Sequence, residues 1–198
     1  MARSPAQAII MEVTPAVILN AAASTQKQNL SNLGWTGDVA TGFGFLTSFN
    51  LLDSNFTLET GAVYLNQFSE RDSSGITIKQ ESHNLHLPLL IRYNFDEKMG
   101  IGIGGYAGIG QGSITTTQGG AATLSSYTDS GIHNRDFGLL ISARASLRII
   151  SQIFFIVDGR YQHGLTNLAN IPPGVPGDLL NTRSMQAYLG LSYRFIPF

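Results

Sequence analysis

The sequence predicts an all-β fold in which eight antiparallel strands close into an up-and-down barrel. Apolar residues alternate with polar, charged or small residues along most of the 198-residue chain. Only a strand uses a period of two to sort side chains onto two faces. The alternating runs number eight, and long and short connections alternate between them. We interpret residues 1–198 as a single barrel domain, because this length suits one domain with a sizeable interior.

The first four predicted strands lie near residues 9–20, 35–50, 56–68 and 83–95. The first alternates despite Pro15, which lacks the N–H group that a paired strand uses. The second places aromatic residues on odd positions and mostly small residues on even positions. The third and fourth set their apolar residues against faces that include Glu59 and Arg92, respectively.

The last four predicted strands lie near residues 99–111, 134–149, 153–165 and 184–196. The fifth has glycine at most even positions, and the eighth has apolar residues at its odd positions. The sixth shows the clearest alternation: every odd position in 137–149 is apolar, and the even positions are polar, charged or small apart from Leu140. The seventh resumes this pattern after Ile150-Ser151-Gln152, so the two strands form a long hairpin.

The charges of this hairpin predict its register. Even residues of both strands must share one face, because a one-residue slip would turn one strand inside out. We predict that Ile149 pairs with Ile153, which places Arg144 opposite Asp158. Other registers with a three-residue loop would place Arg144 opposite Arg160 or an apolar residue, leaving a charge without a counter-charge.

The connections indicate which kind of barrel the chain forms. Short links near 51–55, 96–98 and 150–152 alternate with long loops near 21–34, 69–80, 112–133 and 166–182. Outer-membrane barrels combine short periplasmic turns with longer extracellular loops, and a closed barrel leaves no sheet edge unpaired in lipid. We therefore predict a transmembrane barrel in the outer membrane of a Gram-negative bacterium, although no signal peptide is visible in this chain.

The apolar face of such a barrel could meet lipid or fill a soluble, lipocalin-like calyx. Lipid is favoured because Lys occurs only at positions 27, 79 and 98, and because Gly, Ala and Ser dominate the polar face. The charged strand residues nearly balance, as buried charges must. We predict that they form a structural network in a filled lumen: Glu12, Asp38, Glu59, Arg92, Arg144, Arg148, Asp158, Arg160 and Arg194.

Aromatic residues near the strand ends predict contacts with the lipid–water interfaces, where such residues form girdles around membrane barrels. We expect outer-membrane lipid to surround this face. The aromatic residues are Trp35, Tyr64, Tyr93, Tyr161 and Tyr193.

The composition argues against nucleic acids, metals and cofactors as ligands. The net charge of −1 provides no basic field, and the absence of Cys excludes thiolate sites. The G-x-G-x-x-G match at 100–105 precedes another alternating run instead of the helix that binds a dinucleotide. We assign no catalytic, cofactor-binding or metal-binding residue, since the histidines match no metal-ligand spacing: His83, His86, His133 and His163.

Four segments resemble the PorT-like (OmpA/OmpX-type) family of outer-membrane β-barrel proteins. Residues 85–95 (LHLPLLIRYNF) resemble the family's LPLLxRYxF strand, and residues 136–138 (DFG) are similar to its entry to strand six. Residues 159–167 (GRYQHGLTN) and 181–195 resemble its RYxxGLTN segment and its closing strand. The resemblance implies an eight-stranded barrel in a Gram-negative outer membrane, and most members of this family have no assigned activity.

The resemblance also implies an aromatic assembly signal at the end of the last strand, for which Phe195 and Phe198 are both candidates. We expect a non-enzymatic barrel that acts through its extracellular loops or as the partner of another envelope protein. Two alternatives stay open. One is a lipid-modifying enzyme that uses a rim histidine such as His163, and the other is a narrow channel through the lumen.

Overall fold

A computed structural model of the protein describes residues 11–27, 35–37, 39–51, 55–73, 76–127, 129, 133–166, 168 and 179–195. The described residues form β1 (Met11–Lys27), β2 (Trp35–Gly37), β3 (Val39–Asn50), β4 (Phe56–Ser73), β5 (Ile76–Asn94), β6 (Met99–Gln118), β7 (Ala121–Ser125), β8 (Arg135–Ile150), β9 (Ile153–Gly164) and β10 (Leu179–Phe195). They include no helix that is long and apolar enough to cross a membrane.

Eight of these strands close into one antiparallel barrel. The order around the ring is β1, β3, β4, β5, β6, β8, β9 and β10, and β10 pairs with β1 to complete the closure. The short β2 pairs with β4, and β7 folds back onto β6. The predicted eight-stranded, up-and-down barrel is therefore confirmed.

The strands at the long-loop end are longer than the sequence pattern indicated. β4 and β5 continue through most of the loop predicted at 69–80. β1, β6 and β10 extend into the loops predicted near 21–34, 112–133 and 166–182. These predicted strand ends were wrong because backbone pairing requires only N–H and C=O groups. The hydrogen-bond ladder therefore continues past the point where the apolar alternation ends.

Two prolines are accommodated inside barrel strands. Pro15 pairs with Phe45 of β3, while the ladder from β1 to β10 is interrupted beside Pro15 and resumes in the same register. Pro88 pairs with Tyr106 of β6, and the ladder from β5 to β4 is interrupted beside it. Since proline lacks an N–H group, each strand loses pairing on one side and keeps it on the other.

β8 shows how the barrel wall divides into an outer and an inner face. Exposed and buried residues alternate without exception over residues 135–145. Ile141 is 55% exposed, whereas its neighbours Leu140 and Ser142 are 0% and 2% exposed. The apolar face therefore points outward, as predicted for a membrane barrel and opposite to a lipocalin-like calyx.

The β8–β9 hairpin has the predicted pairing in its centre but a tighter turn. Arg144 lies opposite Asp158, which confirms that part of the predicted register. The predicted pair of Ile149 with Ile153 is wrong, because Ile153 pairs with Ile150 after the ladder shifts by one residue. This bulge absorbs one residue, so a tight turn joins the strands while their inner faces stay aligned.

Candidate functional site

Five charged side chains from four strands meet in the middle of the lumen. Glu59 comes from β4, Arg92 from β5, Arg144 from β8, and Asp158 and Arg160 from β9. Each residue is at most 8% exposed. We call these five residues the charged layer. Because β4 and β9 lie on opposite sides of the ring, the charged layer spans the full width of the lumen.

Asp158 accepts hydrogen bonds on both of its carboxylate oxygens. Its Oδ2 accepts from the Nη2 atoms of Arg160 at 2.8 Å, Arg92 at 2.9 Å and Arg144 at 3.3 Å. Its Oδ1 accepts from the hydroxyl of Ser142 at 2.6 Å. One carboxylate is thus shared by all three guanidinium groups of the charged layer.

Glu59 occupies an equivalent position from the opposite wall. Its Oε1 accepts from Nη2 of Arg160 at 2.6 Å. Its Oε2 accepts from Nη2 of Arg144, from Nη2 of Arg92 at 3.3 Å and from the hydroxyl of Ser48 at 3.4 Å. Such charge-assisted hydrogen bonds stabilise ions that would be very costly to bury alone. The Arg160–Glu59 contact therefore connects opposite walls of the barrel.

A chain of neutral hydrogen bonds continues from the charged layer towards the long-loop end. The guanidinium of Arg160 lies 4.1 Å from the centroid of the Tyr188 ring. The Tyr188 hydroxyl donates to Gln186 Oε1 at 2.7 Å, and Gln186 Nε2 donates to Gln162 Oε1 at 2.9 Å. The hydroxyl of Ser184 donates to the same Gln162 oxygen at 3.3 Å. These contacts fill the β9–β10 side of the lumen.

The β3–β4 side of the lumen is filled by apolar packing. Leu46, Val63 and Leu65 pack with Tyr188, and all four are at most 2% exposed. We call these four residues the apolar layer. A Cβ atom added at Gly42 would lie 2.6 Å from Leu65 Cδ2. The glycine therefore makes room for the leucine inside a barrel that is just wide enough for side chains to fill.

A second buried contact lies in the lumen near the long-loop end. The Tyr106 hydroxyl donates to Asp136 Oδ2 at 2.8 Å, and the His86 ring stacks on Tyr106 with 5.2 Å between centroids. A Cβ atom at Gly138 would lie 2.6 Å from Tyr106 Cε1, so this glycine makes room for the tyrosine ring. The cavity beside His86 and Asp136 has a volume of only about 60 Å³.

A larger polar cavity opens at the short-turn end of the barrel. It has a volume of about 350 Å³, and Arg92 and Arg144 of the charged layer lie at its inner end. Asn50, Asn55 and Asn94 contribute to its walls. We call this cavity the vestibule. It leads from the short turns to the charged layer.

Asp96 holds the β5–β6 turn beside the vestibule. Its Oδ1 accepts hydrogen bonds from the backbone N–H groups of Lys98 and Met99, each at 2.7 Å. These bonds hold the pKa of the Asp96 carboxyl below its ordinary value. The carboxylate therefore belongs to the turn and stays ionised at neutral pH.

The prediction that Arg148 joins the lumen network is wrong. Its side chain is 54% exposed and forms an ion pair with Glu97 at 2.6 Å. The residue has the inward parity of β8 but lies too near the end of the strand to reach the buried charges. Arg194 lies at the same end of the barrel, where its guanidinium is 3.7 Å from the centroid of the Phe154 ring.

Two other predicted members of the network cannot be placed there. Asp38 lies outside the described residues, and so does the side chain of Glu12, whose backbone pairs with Ser48 and Arg194. Ser48 is a further member of the network that strand alternation alone did not identify. The signal that identifies it is register, because Ser48 lies directly opposite Glu59 on the β3–β4 ladder.

Four of the five predicted interface aromatics have described side chains, and these four lie on the outer face. Tyr93, Tyr161 and Tyr193 are each at least 37% exposed, and Tyr64 stacks on His83 with 6.0 Å between ring centroids. The side chain of the fifth, Trp35, lies outside the described residues. Contact with the lipid–water interfaces stays a prediction for all five.

The four histidines do not form a common site. His86 is buried in the lumen, His133 is exposed, and His163 lies on the outer face with its ring stacked on Tyr161. Within the described part of the chain, no three His, Cys, Asp or Glu side chains are close enough together to hold a metal ion.

Comparison with known sequences places most of the chain in one family. Residues 7–170 match the family described as "Outer membrane protein beta-barrel domain". No curated protein sequence matched the chain.

Solved outer-membrane proteins share the fold at low sequence identity. OprG from Pseudomonas aeruginosa aligns with a TM-score of 0.60 at 14% identity, covering 96% of this chain and 98% of OprG. Ail from Yersinia pestis, solved with the heparin analogue sucrose octasulfate, aligns with a TM-score of 0.53 at 11% identity over 96% of this chain and 100% of Ail. Neisserial surface protein A aligns with a TM-score of 0.52 at 10% identity, over 93% of this chain and 97% of its own.

Proposed function

Because the chain belongs to the family of outer membrane protein β-barrel domains, we propose that it is a non-enzymatic barrel whose lumen is closed by side chains. The barrel acts through its extracellular loops or as the partner of another envelope protein. The observation that carries this proposal is the charged layer, which connects opposite walls of the lumen through contacts such as Arg160–Glu59.

The layers around the charged layer support a closed lumen. The apolar layer and the neutral hydrogen-bond chain fill both sides of the interior beyond it. Tyr106 and Asp136 join by a buried hydrogen bond nearer the long-loop end. An ion that crossed the barrel would have to displace each of these contacts in turn.

Planar-bilayer recording tests the closed lumen. We expect the purified wild-type protein to insert without producing a stable open-channel current. A variant in which Glu59, Arg92, Arg144, Asp158 and Arg160 are all replaced by serine shows how much of the block comes from the charged layer alone, once its folding is verified by heat-modifiable gel mobility. Large and stable conductance of the wild-type protein would refute the proposal.

Function through the loops or a partner requires the long-loop end to be accessible from outside the cell. The chain contains no native cysteine, so a single introduced thiol is a specific reporter. Leu124 of β7 is 71% exposed at the long-loop end, and Glu97 lies in the opposite turn. We expect a membrane-impermeant maleimide to label Leu124→Cys on intact cells and Glu97→Cys only after outer-membrane disruption. Labelling of Glu97→Cys on intact cells, with Leu124→Cys labelled only after outer-membrane disruption, would contradict this orientation.

The lack of catalysis is part of the proposal. His163, the rim histidine considered for lipid chemistry, stacks on Tyr161 with 6.5 Å between ring centroids on the outer face. Wild-type protein in labelled phospholipid vesicles should release no more product than protein-free vesicles. Turnover by the wild type that is lost in His163→Ala would support the lipid-modifying enzyme instead.

We also propose that the chain belongs to the PorT-like subgroup of this family. Residues 85–95 and 159–167 support this assignment, because they carry the LPLLxRYxF and RYxxGLTN patterns.

Native-membrane co-purification followed by mass spectrometry tests whether an envelope protein accompanies the barrel. If the barrel is recovered with lipid alone, even after mild cross-linking, the extracellular loops remain as the part through which it acts.

A further inference from the structure

The vestibule is a second site, separate from the closure of the lumen. Its volume of about 350 Å³ is far more than a single water molecule needs. It opens at the short-turn end, which is periplasmic in outer-membrane barrels. A small solute could therefore enter it from the periplasm without passing the charged layer.

Arg92 lines the inner end of this cavity and has buried guanidinium nitrogens without a hydrogen-bond partner among the described residues. Its side chain is 1% exposed, and only its Nη2 atom contacts the carboxylates of Glu59 and Asp158. The Nε and Nη1 atoms have no hydrogen-bond partner among the described residues. Buried donors normally find an acceptor, and a guanidinium binds the oxygens of carboxylates and phosphates especially well.

The carboxylates at the vestibule rim are already bound within their own turn. Asp96 accepts the N–H groups of Lys98 and Met99, and the carboxylate of Glu97 pairs with Arg148. Neither rim carboxylate therefore serves Arg92. The remaining walls include the neutral amides of Asn50, Asn55 and Asn94, which add no negative charge. Asn94 Nδ2 already donates to the backbone oxygen of Asn55 at 3.3 Å and to Thr57 Oγ1 at 3.5 Å, so we assign the donor role to Asn50 and Asn55.

We propose that the vestibule binds a small oxyanion from the periplasm, of the phosphate or short-chain carboxylate class, with Arg92 as its anchor. The oxygens of such an anion would accept hydrogen bonds from the Arg92 guanidinium, once its buried Nε and Nη1 atoms turn towards the cavity, and from the amides of Asn50 and Asn55. The proposal goes beyond the closed barrel, and its failure would leave the conductance result unaffected.

Calorimetric titration of the refolded full-length barrel tests the site with inorganic phosphate and, separately, with succinate. We expect saturable binding of at least one of them. Binding of phosphate alone assigns the tetrahedral class, and binding of succinate alone assigns the carboxylate class. Absence of saturable binding to both would overturn the proposal.

Matched asparagine variants locate the binding without disturbing the charged layer. Asn94→Asp adds a negative charge to the vestibule wall and should weaken anion binding at least tenfold. Asn84→Asp makes the same change at the long-loop end and should leave binding within twofold of the wild type. Equal affinity in all three proteins would place the anion elsewhere and overturn the assignment. Heat-modifiable gel mobility confirms that each variant is folded before titration.

Discussion

The charged layer and the apolar layer fill the same lumen by different physical means. The charged layer connects walls that are distant in sequence, since Arg160 and Glu59 lie 101 residues apart and are joined at 2.6 Å. The apolar layer packs Leu46, Val63 and Leu65 of two neighbouring strands against Tyr188. The first depends on complementary charge across the barrel, and the second depends on volume.

This difference determines how each layer should respond to mutation. Removing one member of a buried ion network leaves its partners charged and desolvated, which is strongly destabilising. Removing methyl groups from an apolar layer leaves a cavity, whose cost depends on how far the surroundings collapse.

The largest effect is expected when the charged layer loses a carboxylate. Asp158→Asn leaves three guanidinium groups to share Glu59, so we expect it to lower the free energy of unfolding by about 3–5 kcal/mol. Denaturant unfolding of the barrel in lipid vesicles measures this loss. Asp129→Asn, on an exposed residue outside the lumen, is the control and should leave the midpoint unchanged. Equal midpoints for both variants would show that the layer contributes little.

The outer wall should reject a charge in its middle. Ile141→Arg should cost about 2–4 kcal/mol at the centre of the membrane, and Ile149→Arg near the end of the same strand only about 0–1 kcal/mol. Both isoleucines are 55% exposed, and Ile149 lies at the bulge beside the β8–β9 turn, far from the centre of the strand. Folding yield in vesicles is the measurement. Normal folding of Ile141→Arg with failure of Ser142→Arg would mean that the two faces are inverted.

The apolar layer should tolerate truncation better than the charged layer tolerates loss of charge. Leu65→Ala removes buried methyl groups and should cost about 2–3 kcal/mol. Leu139→Ala makes the same change on the outer face, where lipid can fill the space, and should cost less. The two unfolding midpoints decide the comparison. A loss for Leu65→Ala greater than that for Asp158→Asn would reverse the ranking of the layers.

The smallest effect is expected from the charge that the sequence analysis misplaced. Arg148→Ala breaks an ion pair with Glu97 in which both side chains are more than half exposed, so we expect a loss of about 0–1 kcal/mol. High salt should abolish even this loss. A loss in the free energy of unfolding as large as that of Asp158→Asn would indicate that Arg148 belongs to the lumen network.

The misplacement of Arg148 shows what strand alternation can and cannot predict. Parity assigns a residue to the inner or outer face, and it correctly placed Glu59, Arg92, Arg144, Asp158 and Arg160 on the inner face. Parity carries no information about depth along the barrel axis. Alternation therefore assigns a charged residue near the end of a strand to the same face as one at its centre, and does not distinguish their depths.

Most contacts across the lumen could be identified only from the closed structure and not from the sequence. The pair Arg144–Asp158 follows from one hairpin, and the sequence predicted it. The contact of Arg160 with Glu59 depends on how eight strands stagger around the ring, which no local pattern contains. The extended ends of β4 and β5 were missed for the opposite reason, because pairing there continues without apolar alternation.

The central claim is that the charged layer acts as one coupled unit across the barrel, and a double-mutant cycle on Glu59 and Arg160 tests it most directly. Unfolding free energies are measured for the wild type, Glu59→Ala, Arg160→Ala and the double variant in the same vesicles. Coupling predicts that the double variant loses less than the sum of the single losses, by roughly 0.5–3 kcal/mol. Strictly additive losses would contradict the claim, because they would show that the two walls are stabilised independently.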